Sequence, residues 1–335
     1  MNKYSKWQIL TVVFSIISLC LAGYLYEIET RVPVPEEPEP MKVNFAYQYG
    51  FHYGTHIVMN YFDLIEKYTG GKAEGVFYKI SGGSSINEGI IAGSIQFGSM
   101  SAHAAMKGID TGIGTKIFAS MGCKVAELWT WRDDIQGIED FAEGDIISVV
   151  KIGASHYVSM IKAYADIGRT REEAEAMFGF FSHADAYLLM EQREIDAQFA
   201  GPPYTTQFED LGYHKIADEM SIWGTPLPGG VLIGDVSFCQ EYPDIAAAVM
   251  YAWIDATNWI INNPQEASKI IGEDYGYNEE EAWELWKEAN LTWNPVYGLS
   301  AVEDLAKTMY DLGLLKNQLT SEDIMFSQTR GTIGR

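Results

Sequence analysis

The sequence predicts an α/β protein with two domains and largely parallel sheets, on the basis of three observations. From Met41 onward, short runs rich in β-branched and aromatic residues alternate with segments whose apolar residues recur at helical spacing. The chain has 335 residues, which at roughly 150 residues per domain suggests about two domains. Hydrophobic residues make up 47% of the chain and aromatic residues 13%, enough for two cores.

The first 26 residues are typical of a membrane-directing segment. Lys3 and Lys6 precede a long apolar run, and a Pro- and Glu-rich stretch over 27–41 follows as an extended acidic linker. The run is long for a signal-peptide core and nearly long enough to span a bilayer, which takes roughly 20 residues. A cleaved signal peptide and a retained membrane anchor are both open, with a lipidated Cys20 as a third alternative. The positive-inside rule then places the rest of the chain on the extracytoplasmic side.

Charge and cysteine content exclude two classes of function. With 46 acidic against 23 basic residues the net charge is −23, so the chain lacks the general basic field that binds nucleic acid. The three cysteines, Cys20, Cys123 and Cys239, form no CxxC motif and no Cys/His cluster. We therefore predict no disulfide scaffold and no structural zinc site. Whether Cys123 pairs with Cys239 is left open.

The first part of the region after the linker contains three strands, each of which leads into a helix. The pattern predicts strands and helices in alternation at 43–47, 55–68, 76–80, 85–92 and 95–98. Ser101 opens the next helix. Ser85 and Glu88 fit the capping-box pattern, in which a serine side chain and a glutamate three residues later satisfy the backbone at a helix start.

The second part repeats this arrangement. A strand over 146–150 is followed by a small-residue turn and a helix over 156–167, and Thr170 and Glu173 cap another helix. Further elements are a helix over 184–193, a strand over 195–199, and helices over 245–261, 264–271, 279–289 and 301–312, the last of them capped by Ser300 and Glu303.

Three of the strand-to-helix turns, at 82–85, 99–101 and 153–155, open a helix with small residues and serines. Such a turn presents free backbone N–H groups and the positive end of a helix dipole to an anion or a polar ligand. In open α/β sheets these turns line the ligand crevice. Each serine could instead simply cap its helix, but three such turns in two units favour a binding site.

Five segments carry a resemblance to a known family: FAYQYGFHYG (45–54), SGGSSINEGIIAGSIQFGSMSAHAA (81–105), KIGASHYVSMIKAYADIG (151–168), AYLLMEQREIDAQFAGPPY (186–204) and NNPQEASKII (262–271). In this order they resemble the extracytoplasmic solute-binding proteins of ABC transporters for nitrate, sulfonates, taurine and thiamine precursors. The resemblance implies a two-lobed periplasmic-binding-protein type II fold with a double crossover, a helical C-terminal segment and one ligand in the cleft between the lobes.

The resemblance also implies the boundaries of the lobes and the residues of the site. It places lobe 1 at 42–131 plus 227–335 and lobe 2 at 132–226. The implied ligand-binding residues lie on five cleft loops and are Tyr47, Gln48, Tyr49, His52 and Tyr53; Gly83, Ser84 and Ser85; Ser101; Ser155, His156 and Tyr157; and Pro202, Pro203 and Tyr204.

The first cleft loop is rich in tyrosine and histidine, which stack on flat or alkyl groups and offer a polar tip. This composition favours an organic ligand with a planar or apolar body and a polar or anionic end over bare nitrate. A small inorganic anion would prefer fixed Arg or Lys, and the residues named for these loops include neither.

The resemblance implies the substrate-binding component of an ABC importer. Such a protein would be a monomer without catalytic activity or cofactor that delivers a sulfonate, taurine-like or thiamine-precursor-like solute to a membrane permease and its ATPase subunit. Two alternatives stay open, a membrane-tethered ligand sensor and an enzyme on the same scaffold.

For an enzyme, His52, His103 or His156 could act as a base beside a serine, but the sequence has no GxSxG or HExxH motif. His52 and His56 could share a helix face as metal ligands, although a third ligand is not evident.

Overall fold

The computed structural model describes residues 11, 14–24, 39–80, 82–122, 126–201, 204–289 and 291–333, with side chains up to residue 330. The chain divides into two units, 1–40 and 41–335. In the first unit, residues 14–24 are helical. Among the described residues, no helix combines the length and the apolar character that crossing a membrane requires. The predicted signal peptide or anchor over 1–26 and the linker over 27–41 lie largely outside the described residues, and their roles stay predictions.

The strands among the described residues all lie in the second unit. They are β1 (Met41–Tyr47), β2 (Ala73–Lys79), β3 (Phe97–Met100), β4 (Thr115–Ser120), β5 (Glu127–Thr130), β6 (Ile147–Ser148), β7 (Phe178–Gly179), β8 (Ala197–Ala200), β9 (His214–Asp218) and β10 (Val231–Asp235).

The helices of this unit lie between and after the strands. They are α1 (Gly54–Tyr61), α2 (Leu64–Thr69), α3 (Gly83–Ile91), α4 (Ala102–Asp110), α5 (Ser155–Asp166), α6 (Arg171–Glu175), α7 (His183–Glu191), α8 (Tyr204–Asp210), α9 (Glu219–Trp223), α10 (Val236–Glu241), α11 (Pro243–Asn262), α12 (Pro264–Asp274), α13 (Glu279–Ala289), α14 (Val302–Asp311), α15 (Ser321–Ile324) and α16 (Ser327–Ile333).

The strands form two five-stranded sheets of equivalent topology. The first has the order β2-β1-β3-β10-β4 and the second the order β7-β6-β8-β5-β9. In each sheet one strand, β10 or β5, is antiparallel to both of its neighbours, and the observed pairings are otherwise parallel. The predicted α/β class with largely parallel sheets is confirmed.

The chain crosses between the sheets twice, and each crossing delivers the antiparallel strand. The first crossing lies between β4 and β5, and the return lies between β9 and β10. The sequence analysis assigned 127–131 to lobe 1, whereas β5 pairs with β8 and β9 in the second sheet. The rest of the division into lobes stays a prediction. Cys123, the partner considered for Cys239, lies in the first crossing and outside the described residues.

Two predicted helix caps were wrong because the backbone begins the helix elsewhere. Gly82, with φ 88°, turns the chain so that α3 begins at Gly83 without a side-chain cap, and Ser85 lies inside the helix. At the last predicted cap, a 3₁₀ turn over Leu299–Ala301 precedes α14, and Ala301 takes the N-cap position instead of Ser300. The capping box of Thr170 and Glu173 is present.

Aromatic packing fixes the first sheet against its covering helices. Phe45 in the middle of β1 stacks on Phe77 and Phe97 of the neighbouring strands, with ring centroids 4.7 and 5.2 Å apart. Trp253 of α11 is fully buried and its indole N–H donates to the carbonyl of Ser120 at 3.2 Å. The carboxyl ends of the strands and the loops that follow them are therefore held in fixed positions.

Candidate functional site

A cavity of about 590 Å³ lies between the two sheets, and we call it the cleft cavity. Its walls come from the loop after β1, the first turns of α3, α4 and α5, the start of α7 and the segment before β10. Elements of both sheets therefore contribute to one space. The volume is within the range of small-molecule sites, roughly 300–1,000 Å³.

Three helix N-termini meet at the cleft cavity. Gly83 of α3, Ser101 before α4 and Ser155 of α5 all line it. Gly82 and Gly153, with φ of 88° and 80°, supply the left-handed backbone that turns the chain into two of these helices. The first N–H groups of a helix have no partner within the helix and carry its positive dipole end. The arrangement can therefore hold a negatively charged or strongly polar group.

The serines of these turns have different roles. Ser101 is the N-cap of α4, and its hydroxyl accepts from the N–H of Ala104 at 3.3 Å. Ser155 is the first residue of α5, whose N-cap, Ala154, makes no side-chain cap bond. Ser84 lines the cavity from the first turn of α3, whereas Ser85 is exposed and lies outside the cavity lining. The cap explanation therefore holds for Ser101 alone among these four serines.

The aromatic first loop forms one wall of the cavity. Gln48, Tyr49, His52 and Tyr53 all line it. The amide of Gln48 donates to the carbonyl of Ser99 at 3.3 Å, which ties the loop to β3. Tyr49 is 63% exposed, so its ring is available to a ligand. Tyr53 is buried, and burial raises the pKa of its phenol, which stays neutral.

Two histidines from the second sheet's side of the cavity contact each other. His156 of α5 and His183 of α7 line the cavity with their rings edge-on and 5.0 Å apart. Sequence analysis named His156 but missed His183. The latter is the first residue of a helix whose N-cap is Ser182. The same strand, turn and helix pattern was therefore present, but this turn has a single serine preceded by Phe180 and Phe181.

Sequence analysis also missed the charged groups of the cavity. Lys151 lies in the turn after β6, and its Nζ is 3.4 Å from where a Cβ on Gly82 would stand, beside the start of α3. Lys107 enters the lining from α4, while its Nζ donates to the carbonyl of Leu314 at 2.8 Å. Glu219 is the one acidic residue among the described residues of the lining. Because Lys107 also lies 3.7 Å from the Asp110 carboxylate, Lys151 is the lining cation best placed to favour an anion.

His103, at the second position of α4, contributes a neutral polar group to the lining. It is 2% exposed, and its two ring nitrogens have no hydrogen-bond partner among the described residues. Burial lowers the pKa of His103 to about 4, so the ring is neutral near pH 7. Its ring centroid is 6.1 Å from that of Trp223 in α9, which places it where the two sheets' helices approach each other.

Other predicted site residues lie elsewhere. Tyr47 is buried in the core of the first sheet, stacked on His56 at 5.1 Å. Tyr157 is fully buried, and its hydroxyl bonds to Glu175 and Arg171. Tyr204 lines a neighbouring chamber, described below. Pro202 and Pro203 lie outside the described residues.

His56, one of the two residues considered as metal ligands, is a core histidine. It is fully buried between the carbonyl of Tyr53 at 3.3 Å and the hydroxyl of Ser99 at 3.0 Å. Burial lowers the pKa of His56 to about 3. In the part of the chain that the structure describes, no group of three or more His, Cys, Asp or Glu residues could hold a metal ion.

Two equivalent sheets, a chain that crosses between them twice and a cavity at the helix N-termini between them define the periplasmic-binding-protein fold. Solved structures of the same fold confirm the predicted resemblance at this level. One is the periplasmic aliphatic sulphonate-binding protein SsuA of Escherichia coli, with a TM-score of 0.69 and 15% identity over 87% of this chain and 93% of that chain.

Two further solved structures extend the comparison. The alkanesulfonate-binding protein SsuA of Xanthomonas axonopodis pv. citri, bound to MOPS, has a TM-score of 0.67 and 14% identity over 87% of this chain and 99% of that chain. The periplasmic nitrate-binding protein NrtA of Synechocystis PCC 6803 has a TM-score of 0.66 and 11% identity over 89% of each chain. A scan of protein-family models and a search of curated proteins gave no match.

Proposed function

We propose that this chain is the substrate-binding component of an ABC importer that captures a small organic acid in the cleft cavity. The observation that carries the proposal is the meeting of three helix N-termini from both sheets at one cavity, with Lys151 beside them. A ligand that contacts N-termini on both sides favours a closed arrangement by a hinge motion. The sulphonate- and nitrate-binding proteins that share the fold support this reading.

The proposed setting follows from the sequence. Residues 1–26 export or anchor the protein, so it works as an extracytoplasmic monomer that presents the closed form to a membrane permease and its ATPase. The solute belongs to the sulfonate, taurine-like or thiamine-precursor-like acids. No catalysis and no cofactor take part.

The enzyme alternative gains no support from the geometry. A nucleophilic serine needs a base within hydrogen-bond reach. His103 has no such serine among the described residues. Ser99 lies 3.0 Å from His56 Nε2, but both side chains are fully buried and neither lines the cleft cavity.

A thermal-shift screen tests the proposal with alkane- and arylsulfonates, taurine, pyrimidines and riboflavin. At a hundredfold excess over Kd a ligand contributes about 2.7 kcal/mol, which raises Tm by about 5 °C for a domain of this size. The absence of any shift, together with turnover of an ester or phosphate substrate, would contradict the proposal. Ligand-dependent stimulation of a reconstituted permease's ATPase then separates import from a membrane-tethered sensor.

A further inference from the structure

A second chamber of about 590 Å³ adjoins the cleft cavity, and we call it the aromatic chamber. It shares Tyr49, His52 and His183 with the cleft cavity, so these three side chains stand between the two spaces. Its outer walls come from the turn after α12, from α13 and from the start of α8. Both sides of the cleft therefore contribute to this chamber as well.

Aromatic rings form nearly half of the chamber's described lining. Besides the shared side chains, its rings are Phe51, Tyr204, Tyr275 and Tyr277. Tyr49 and Tyr277 are 63% and 42% exposed. Large rings that face water in a concave site leave apolar surface uncovered, and covering it stabilises a complex by about 25 cal/mol per Å². A flat group that stacks on these rings would cover it.

The walls are held in place before any ligand arrives. The Tyr275 hydroxyl donates to the carbonyl of Gly50 at 3.1 Å and accepts from its N–H at 3.2 Å. Phe51 stacks on Tyr275 with centroids 6.1 Å apart. On the opposite side His183 stacks on Tyr204 at 5.8 Å. Preorganised walls lower the conformational cost of binding.

The charges around the chamber favour a neutral ring over an organic cation. The Lys79 ammonium lies 4.8 Å from the centroid of the Tyr275 ring and 2.7 Å from the Asp274 carboxylate. This internal cation already occupies the face of one ring and neutralises the adjacent acid. A cationic ligand would meet a like charge at the Tyr275 ring, whereas a neutral ring would not. The third charged residue of the lining, Glu288 of α13, is exposed, so water and salt screen its attraction for a cation.

We propose that the aromatic chamber binds the neutral, flat ring of a ligand whose anionic end lies at the helix N-termini of the cleft cavity. This inference rests on the proposed function and deepens it by naming the ligand class, an aryl or heteroaryl organic acid. The linkage between ring and anion passes between Tyr49, His52 and His183. Alkanesulfonates, taurine and nitrate fill the cleft cavity alone.

Calorimetric titration of the purified full chain tests the inference with naphthalene-2-sulfonate and ethanesulfonate, which share the anionic group and differ in the ring. We expect the naphthalene compound to bind wild type roughly tenfold more tightly. Tyr277→Ala should remove about that factor for the naphthalene compound and change ethanesulfonate binding less than twofold. Tyr277→Phe, which keeps the ring, should bind as wild type does.

A matched control is Tyr310→Ala, at a tyrosine that is 40% exposed on α14 and outside both chambers; it should leave both affinities unchanged. Two results would contradict ring binding in the aromatic chamber and leave the proposed function standing. One is equal affinity of wild type for the two sulfonates, and the other is an equal loss of affinity for both in Tyr277→Ala. Binding of neither sulfonate would overturn the role of the aromatic chamber, whereas the proposed function is judged by the wider thermal-shift screen. If wild type bound glycine betaine and Tyr277→Ala did not, the chamber would be a cation site and the proposal of a neutral ring would be wrong.

Discussion

At the scale of single residues, three side chains set the charge of the cleft cavity. Within the described part of its lining, Lys107 and Lys151 are the lysines and Glu219 is the one acidic residue. The ammonium of Lys107 is held by the carbonyl of Leu314 and lies 3.7 Å from the Asp110 carboxylate. Lys151 is therefore the side chain best placed to balance the charge of a bound anion, in addition to the backbone N–H groups of the helix starts.

Lys151→Gln tests this assignment. We expect the substitution to weaken binding of an anionic ligand about tenfold, because it removes a charge-assisted hydrogen bond while leaving the helix starts intact. Calorimetric titration measures the effect. Lys72→Gln removes the same charge at an exposed position outside the cavity lining and should leave the affinity unchanged. Equal losses in the two variants would show that only the overall charge matters.

At the scale of elements, the site is a set of helix starts. The chain reaches α3 through Gly82 and α5 through Gly153, both in the left-handed region, so each helix directs its first N–H groups towards the cavity. Ser155 occupies the first position of α5 and lines the cavity, while Ser85 is the third residue of α3 and is exposed outside the lining. Substitutions at these two serines can therefore distinguish an effect on the cavity from an effect on the exposed helix surface.

Substitution of each serine by tryptophan tests the role of the helix starts. Ser155→Trp should abolish ligand binding, because the indole fills the space in front of α5. Ser85→Trp should leave binding within twofold of wild type, because the side chain points away from the cavity lining. Ligand titration measures binding, and circular dichroism checks that both variants fold. Normal binding by Ser155→Trp would place the ligand elsewhere.

The elements were largely predictable from sequence because their signals are local. Alternating apolar runs predicted the strands and helices, and the turns of small residues and serines predicted three of the helix starts at the cavity. What local patterns could not supply was the direction of a side chain on its element. His156 and Tyr157 are neighbours on α5, yet a rotation of about 100° per residue sends one to the cavity and the other into the core.

The missed residues depended on elements that meet only in the folded chain. Lys151 follows β6 of the second sheet and lies beside Gly82, which precedes α3 on the side of the first sheet. Only the folded chain brings the two together. His183 of α7 lines the cavity beside His156 of α5, and their ring centroids are 5.0 Å apart. In the sequence, Tyr275 and Tyr277 lie in a C-terminal region predicted to be mostly helical. They line the aromatic chamber because α12 and α13 lie beside the loop after β1.

At the scale of the whole molecule, two neutral histidines couple the fold to pH. His56 is buried in the core of the first sheet and His103 is buried where the two sheets' helices approach each other. Burial lowers the pKa of His56 to about 3 and that of His103 to about 4. In the unfolded chain both would titrate near 6.5. As pH falls below 6.5 the unfolded state binds protons that the folded state does not, so acid favours unfolding.

The expected size of this effect can be measured by chemical denaturation at pH 7 and pH 5. Each histidine should lower the free energy of unfolding by about 2 kcal/mol over this interval. His103→Gln removes one of the two contributions, so the difference between the two pH values should shrink by about 2 kcal/mol. Any cost of the substitution that does not depend on pH cancels in this difference. An undiminished pH difference in His103→Gln would mean that His103 titrates in the folded protein as it does in the unfolded chain, and that the ring is accessible to water rather than sealed between the helices of the two sheets.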